Sequence, residues 1–150
     1  MKKYLILALT LTALSLLQSV FPAIAVILMF ALVLMFLGNF ELSIKTAFFG
    51  GIMSDLLLSA HFGSATLGCA LSIFVCMVIR RFFPRNVLFY ALQVVVSIII
   101  FHSIINFSIS PVLEDLIPIV FKNFLFMIVL FPFSYTIYEI FKTSGIRRNF

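Results

Sequence analysis

The sequence predicts an all-α, polytopic membrane protein with about six transmembrane helices, folded as a single transmembrane domain over residues 1–150. Three observations predict it. Hydrophobic residues make up 64% of the chain and charged residues 10%, more apolar surface than a soluble domain of this length has interior to hide. The apolar residues form long runs that are hydrophobic on every side, without the alternation of a membrane β-barrel. The few charges stand in clusters between those runs, as topology signals do. Six spans of about 20 residues with short turns use nearly the whole length. They leave no room for a soluble catalytic domain.

The first segment, 4–20, follows Lys2 and Lys3. Ala23-Ile24-Ala25 imitates a signal-peptidase site, but cleavage there would cut the next run short. Segment 4–20 is therefore read as a retained span, with a cleaved signal as the alternative. The second segment, 22–37, opens on Pro22, whose missing N–H costs nothing at a first helical position, and stops at Gly38-Asn39. Segments 44–59 and 64–79 are separated by His61-Phe62-Gly63. Segment 87–105 follows the basic stretch 80–86. The last, 118–141, follows a polar stretch with Pro111, Glu114 and Asp115, and contains Pro132, expected to kink the helix and free a carbonyl.

Charge sets the orientation. With the N-terminus inside, Lys2, Lys3, Lys45, Arg80, Arg81, Arg85, Lys142, Arg147 and Arg148 all fall on the cytoplasmic side. Of the 10 basic residues only Lys122 is left outside, a strong bias for short loops. Both termini are then cytoplasmic and the chain sits in the cell's inner (plasma) membrane, with the bilayer as a partner. The net charge of +5 forms no continuous basic face, so nucleic acid is not a partner.

The third and fourth segments carry the most specific pattern. Gly50, Gly51, Ser54 and Asp55 share one helical stripe, and Ser64, Gly68, Ser72 and Cys76 recur every four residues. Small residues at that spacing let helix backbones approach closely in lipid. The two segments are expected to form a tight hairpin turning at Gly63. Asp55 has two readings: a proton or ion ligand, alone or with His61, or a hydrogen-bonding cap that locks the Gly-rich helix to its neighbours. The second is preferred, because one acid without a second buried partner makes thin support for transport. Tyr90, Gln93 and Ser97 lie on one side of the fifth segment, with His102, Ser103 and Asn106 largely on the other, so they line no continuous path. Arg80, Arg81 and Arg85, around Phe82-Phe83-Pro84, read as a membrane-surface anchor with arginines at headgroups. Cys69 and Cys76, about 10 Å apart along a helix, are too far apart for a disulfide and read as packing residues. No nucleophile–base pair, phosphate loop or metal-ligand spacing occurs. An enzyme, a metal site and a cofactor are not expected.

The stretch Phe49-Gly50-Gly51-Ile52-Met53-Ser54-Asp55-Leu56-Leu57-Leu58-Ser59, then Phe62-Gly63-Ser64-Ala65-Thr66-Leu67-Gly68, then a span ending in Arg80-Arg81, resembles the MreD family. Members of that family carry a Gly-rich third span ending in an Asp-Leu-Leu-type motif, a Gly-containing turn and a fourth helix stopped by basic residues. Two features depart from the family: the entry to the second span is only Phe21-Pro22-Ala23, and Phe is abundant at 20 residues. The resemblance implies a non-catalytic membrane scaffold of bacterial cell-wall elongation. It would help determine rod shape with the bitopic protein MreC, the MreB filament and peptidoglycan synthases. The alternative is the substrate-binding subunit of an energy-coupling-factor vitamin transporter, similar in shape, with six spans and Gly-rich helices.

Overall fold

A computed structural model describes residues 2–21, 25–58, 63–82, 86–106 and 116–142. Six α-helices and no strand occur among them: α1 (Lys2–Val20), α2 (Val26–Phe36), α3 (Phe40–Leu58), α4 (Ser64–Phe82), α5 (Val87–Asn106) and α6 (Leu116–Lys142). Helices are what so apolar a chain must form, because each satisfies its backbone groups within its own segment. Three of them are long and apolar enough to cross a membrane: Ser64–Phe82, Leu88–Asn106 and Ile117–Lys142. Large apolar side chains point outward on α1, α4 and α6, among them Leu5, Phe82 and Ile117.

The sequence reading is corrected most at α2. Its 11 residues rise about 16 Å, roughly half the thickness of a hydrocarbon core. Every side chain from Val26 to Met35 is fully enclosed, and the helix touches each of the others. The second segment is thus the axis of the bundle and presents nothing to lipid. A helix that is apolar all round can sit inside a protein or inside a bilayer, and hydropathy does not separate the two. Pro22 and Ala23 lie outside the described residues.

The break at Gly38-Asn39 is built from its sequence. Gly38 takes φ +94°, which a side chain would resist. Its N–H donates to the Met35 carbonyl at 3.0 Å and that of Asn39 to the Leu34 carbonyl at 3.1 Å, a Schellman end. The Asn39 Oδ1 then accepts the Leu42 N–H at 3.1 Å and caps α3. Helix α3 therefore starts at Phe40, four residues before the expected boundary at 44, and carries Glu41 and Lys45 inside it as an i,i+4 ion pair. Consecutive helices α3, α4 and α5 pack as neighbours, while α6 lies mainly against α2. Helix α6 continues through Pro132 over 27 residues.

Candidate functional site

The α3–α4 contact is the sharpest polar feature of the fold. A Cβ on Gly51 would stand 2.5 Å from the Thr66 Cα and 3.0 Å from its nitrogen. Backbone touches backbone there, and only glycine permits it. One turn further along α3, Asp55 is 5% exposed and spends both oxygens on the start of α4. Its Oδ1 accepts the Ala65 N–H at 2.8 Å. Its Oδ2 accepts the Thr66 N–H at 3.0 Å and the Thr66 hydroxyl. These amides belong to the first turn of α4 and have no partner within the helix. A carboxylate there also faces the positive end of the helix dipole. Asp55 is thus a cap delivered from the preceding helix, made possible by the Gly51 approach. Gly63, at φ +93°, turns the chain between the two. His61, the other half of the relay reading, lies outside the described residues.

The small residues do not all serve that hairpin, which corrects their expected grouping. A Cβ on Gly50 would meet Ile27 at 2.6 Å and Leu11 at 3.3 Å, so Gly50 faces α2 and α1. Gly68 faces Phe101 of α5, with a hypothetical Cβ 3.0 Å from the ring. Ser72 donates to the Ser97 carbonyl at 3.1 Å. The Cys76 thiol lies 2.8 Å from the Ser97 hydroxyl and 3.5 Å from the Gln93 carbonyl. The four-residue stripe on α4 therefore builds the α4–α5 seam. Spacing announces a close approach but not the neighbour that makes it. Both cysteines are free and buried. The Ser54 hydroxyl is buried without a hydrogen bond, as are Thr46 Oγ1, Gln93 Oε1, His102 Nε2 and Ser103 Oγ.

Three side chains hold the two ends of α2; sequence reasoning missed Gln18 and Asn123 and gave Arg80 a different role. At its N-terminus the Gln18 Oε1 of α1 accepts the Ile27 N–H at 3.1 Å. The Asn123 Oδ1 of α6 accepts the Ala25 N–H at 2.8 Å, and its Nδ2 donates to the Ile119 carbonyl at 2.8 Å. At the C-terminus Arg80 donates from Nη1 to the Met35 carbonyl at 2.6 Å, with its guanidinium 4.7 Å from the centre of the Phe40 ring. Arg80 thus has a partner inside the bundle as well as a half-exposed guanidinium. It is a cation at the negative end of a buried helix dipole. Arg81 is exposed, and Arg85 lies outside the described residues. The available signal for Gln18 and Asn123 was their polarity within apolar runs, where an amide needs a partner.

These side chains work as caps and ties between helices. Among the described residues no group of three or more His, Cys, Asp or Glu side chains is placed to hold a metal ion. No protein-family model, curated protein or solved structure matches the chain.

Proposed function

We propose that the chain is a non-catalytic membrane scaffold of the bacterial cell-wall elongation machinery, of the MreD type. In this reading it crosses the inner membrane about six times, with α2 passing through the interior of the bundle rather than along lipid, and both termini lie in the cytoplasm. It helps determine rod shape by binding an MreC-like bitopic protein and, directly or through it, the MreB filament and peptidoglycan synthases. The observation that carries the reading is the state of Asp55, the one acid within the Gly-rich motif. Both of its oxygens are committed to the first turn of α4, an arrangement that fixes a helix surface and leaves no lone carboxylate waiting for an ion. The motif in 49–68 and the placement of nine of the 10 basic residues on one side support the family and the orientation.

Depletion in a rod-shaped host tests it. Cells are expected to round up, and the tagged protein to co-purify with a single-span, coiled-coil periplasmic protein. Tight binding of a small vitamin-like molecule by the purified protein, with normal cell shape and a nutrient requirement on depletion, overturns the scaffold and favours the transporter subunit. Single-cysteine labelling in a chain lacking Cys69 and Cys76 tests the topology separately. Labelling of position 83 by an impermeant outside reagent refutes it.

A further inference from the structure

An open groove runs between α1 and α3, lined by Tyr4, Ala8, Leu11, Lys45, Phe49 and Met53, with a volume of about 350 Å³. Its walls are apolar except where Lys45 and Tyr4 line it. From Lys45 to Met53 the groove follows eight residues of α3, a rise of about 12 Å. That is close to half the hydrocarbon thickness, the depth one leaflet offers a single chain. A partner helix would need a face running the full thickness, about twice the rise of this groove.

We propose that this groove binds an anionic phospholipid, with one acyl chain against Ala8, Phe49 and Met53 and the phosphate at Lys45. The proposal rests on the membrane reading above but not on the scaffold assignment. Charge complementarity selects the headgroup. Lys45 is the basic residue in the lining. The opposing charge is Glu41, paired with Lys45 but 79% exposed against 41% for the lysine. A pair so open to solvent is weakly held, and its lysine remains able to face a phosphate. An amphipathic tyrosine beside it suits the interface between headgroups and tails.

The chain contains no tryptophan, so a single introduced one reports alone. Phe49→Trp places it in the groove. Phe131→Trp places it on the outward face of α6, at a similar distance from the cytoplasmic helix end. Each variant is reconstituted in phosphatidylcholine vesicles containing brominated phosphatidylglycerol or brominated phosphatidylcholine, and quenching is compared. We expect an anionic preference of about fivefold at position 49 and none at 131, on the usual scale for one lysine at a charged surface. Lys45→Gln should remove the preference, Glu41→Gln should strengthen it, and Ala8→Phe should block quenching at 49 for either lipid. Equal preference at both reporters, or a preference that survives Lys45→Gln, overturns the site and leaves the membrane reading standing. Absence of quenching at both reporters overturns the membrane reading itself.

Discussion

Replacing Gly51 by alanine adds one methyl group at the tightest point between α3 and α4. The new carbon would lie 2.5 Å from the Thr66 Cα and 3.3 Å from the Ala65 carbonyl oxygen, both backbone atoms that cannot rotate away. Ordinary contact requires α4 to retreat by about 1 Å, and overpacking of this kind costs about 1–3 kcal/mol. The same retreat lengthens the Asp55 bonds to Ala65 and Thr66, now 2.8 and 3.0 Å, beyond useful hydrogen-bonding distance. Their weakening adds about 1 kcal/mol, while the better helix propensity of alanine returns about 1 kcal/mol. A net loss of about 1–3 kcal/mol is expected. Gly68→Ala meets only the edge of the Phe101 ring at 3.0 Å, which can yield by a few tenths of an ångström, so propensity leaves it within about 0.5 kcal/mol of the parent. Unfolding of both variants in mixed detergent–SDS micelles, followed by far-UV circular dichroism, measures the difference. Asp55→Asn alone should cost about 1 kcal/mol, because an amide offers one acceptor oxygen where the carboxylate offers two. Combined with Gly51→Ala it should cost less than the sum, since the bonds it weakens are already stretched. A Gly51→Ala protein as stable as Gly68→Ala, or strict additivity with Asp55→Asn, refutes the linkage between close approach and cap.

The neighbouring arginines should differ: Arg80→Gln loses a charged hydrogen bond to the Met35 carbonyl and the Phe40 contact, costing about 1–3 kcal/mol, whereas exposed Arg81→Gln should stay within about 0.5 kcal/mol; equal losses in the same unfolding assay would contradict the assignment. Asn123→Leu leaves the Ala25 N–H buried without its acceptor, a cost of about 1–3 kcal/mol. Hydrogen exchange should then quicken at the N-terminal turn of α2 and stay unchanged at Ser97 in α5; uniform change throughout would mean a general loss of packing.

Helices and their stops were legible because they depend on neighbours in sequence. Gly38-Asn39 ended one helix and began another by local hydrogen bonds alone, and Asp55 sat where the turn into α4 brought unpartnered amides within reach. Gln18, Arg80 and Asn123 were not legible as caps, because their partners lie 9, 45 and 98 positions away. Arg80 shows the difficulty best. An arginine at the end of an apolar run is the ordinary mark of a membrane surface, and only the packing of α4 beside α2 turns it toward a carbonyl. The enclosure of α2 was hidden for a related reason: lipid and protein interior select the same side chains.

That enclosure bears on the order of biosynthesis. Helix α2 leaves the ribosome well before two of the side chains that tie its ends, Arg80 in α4 and Asn123 in α6. Until then the Ala25 N–H lacks its side-chain acceptor, while Gln18 and the Gly38-Asn39 turn already serve the Ile27 amide and the Leu34 and Met35 carbonyls. A nascent chain interrupted before residue 123 would hold an unfinished axis, with every other helix but the last in place. Helix α2 is therefore completed only when α6 packs against it and Asn123 takes up the Ala25 N–H.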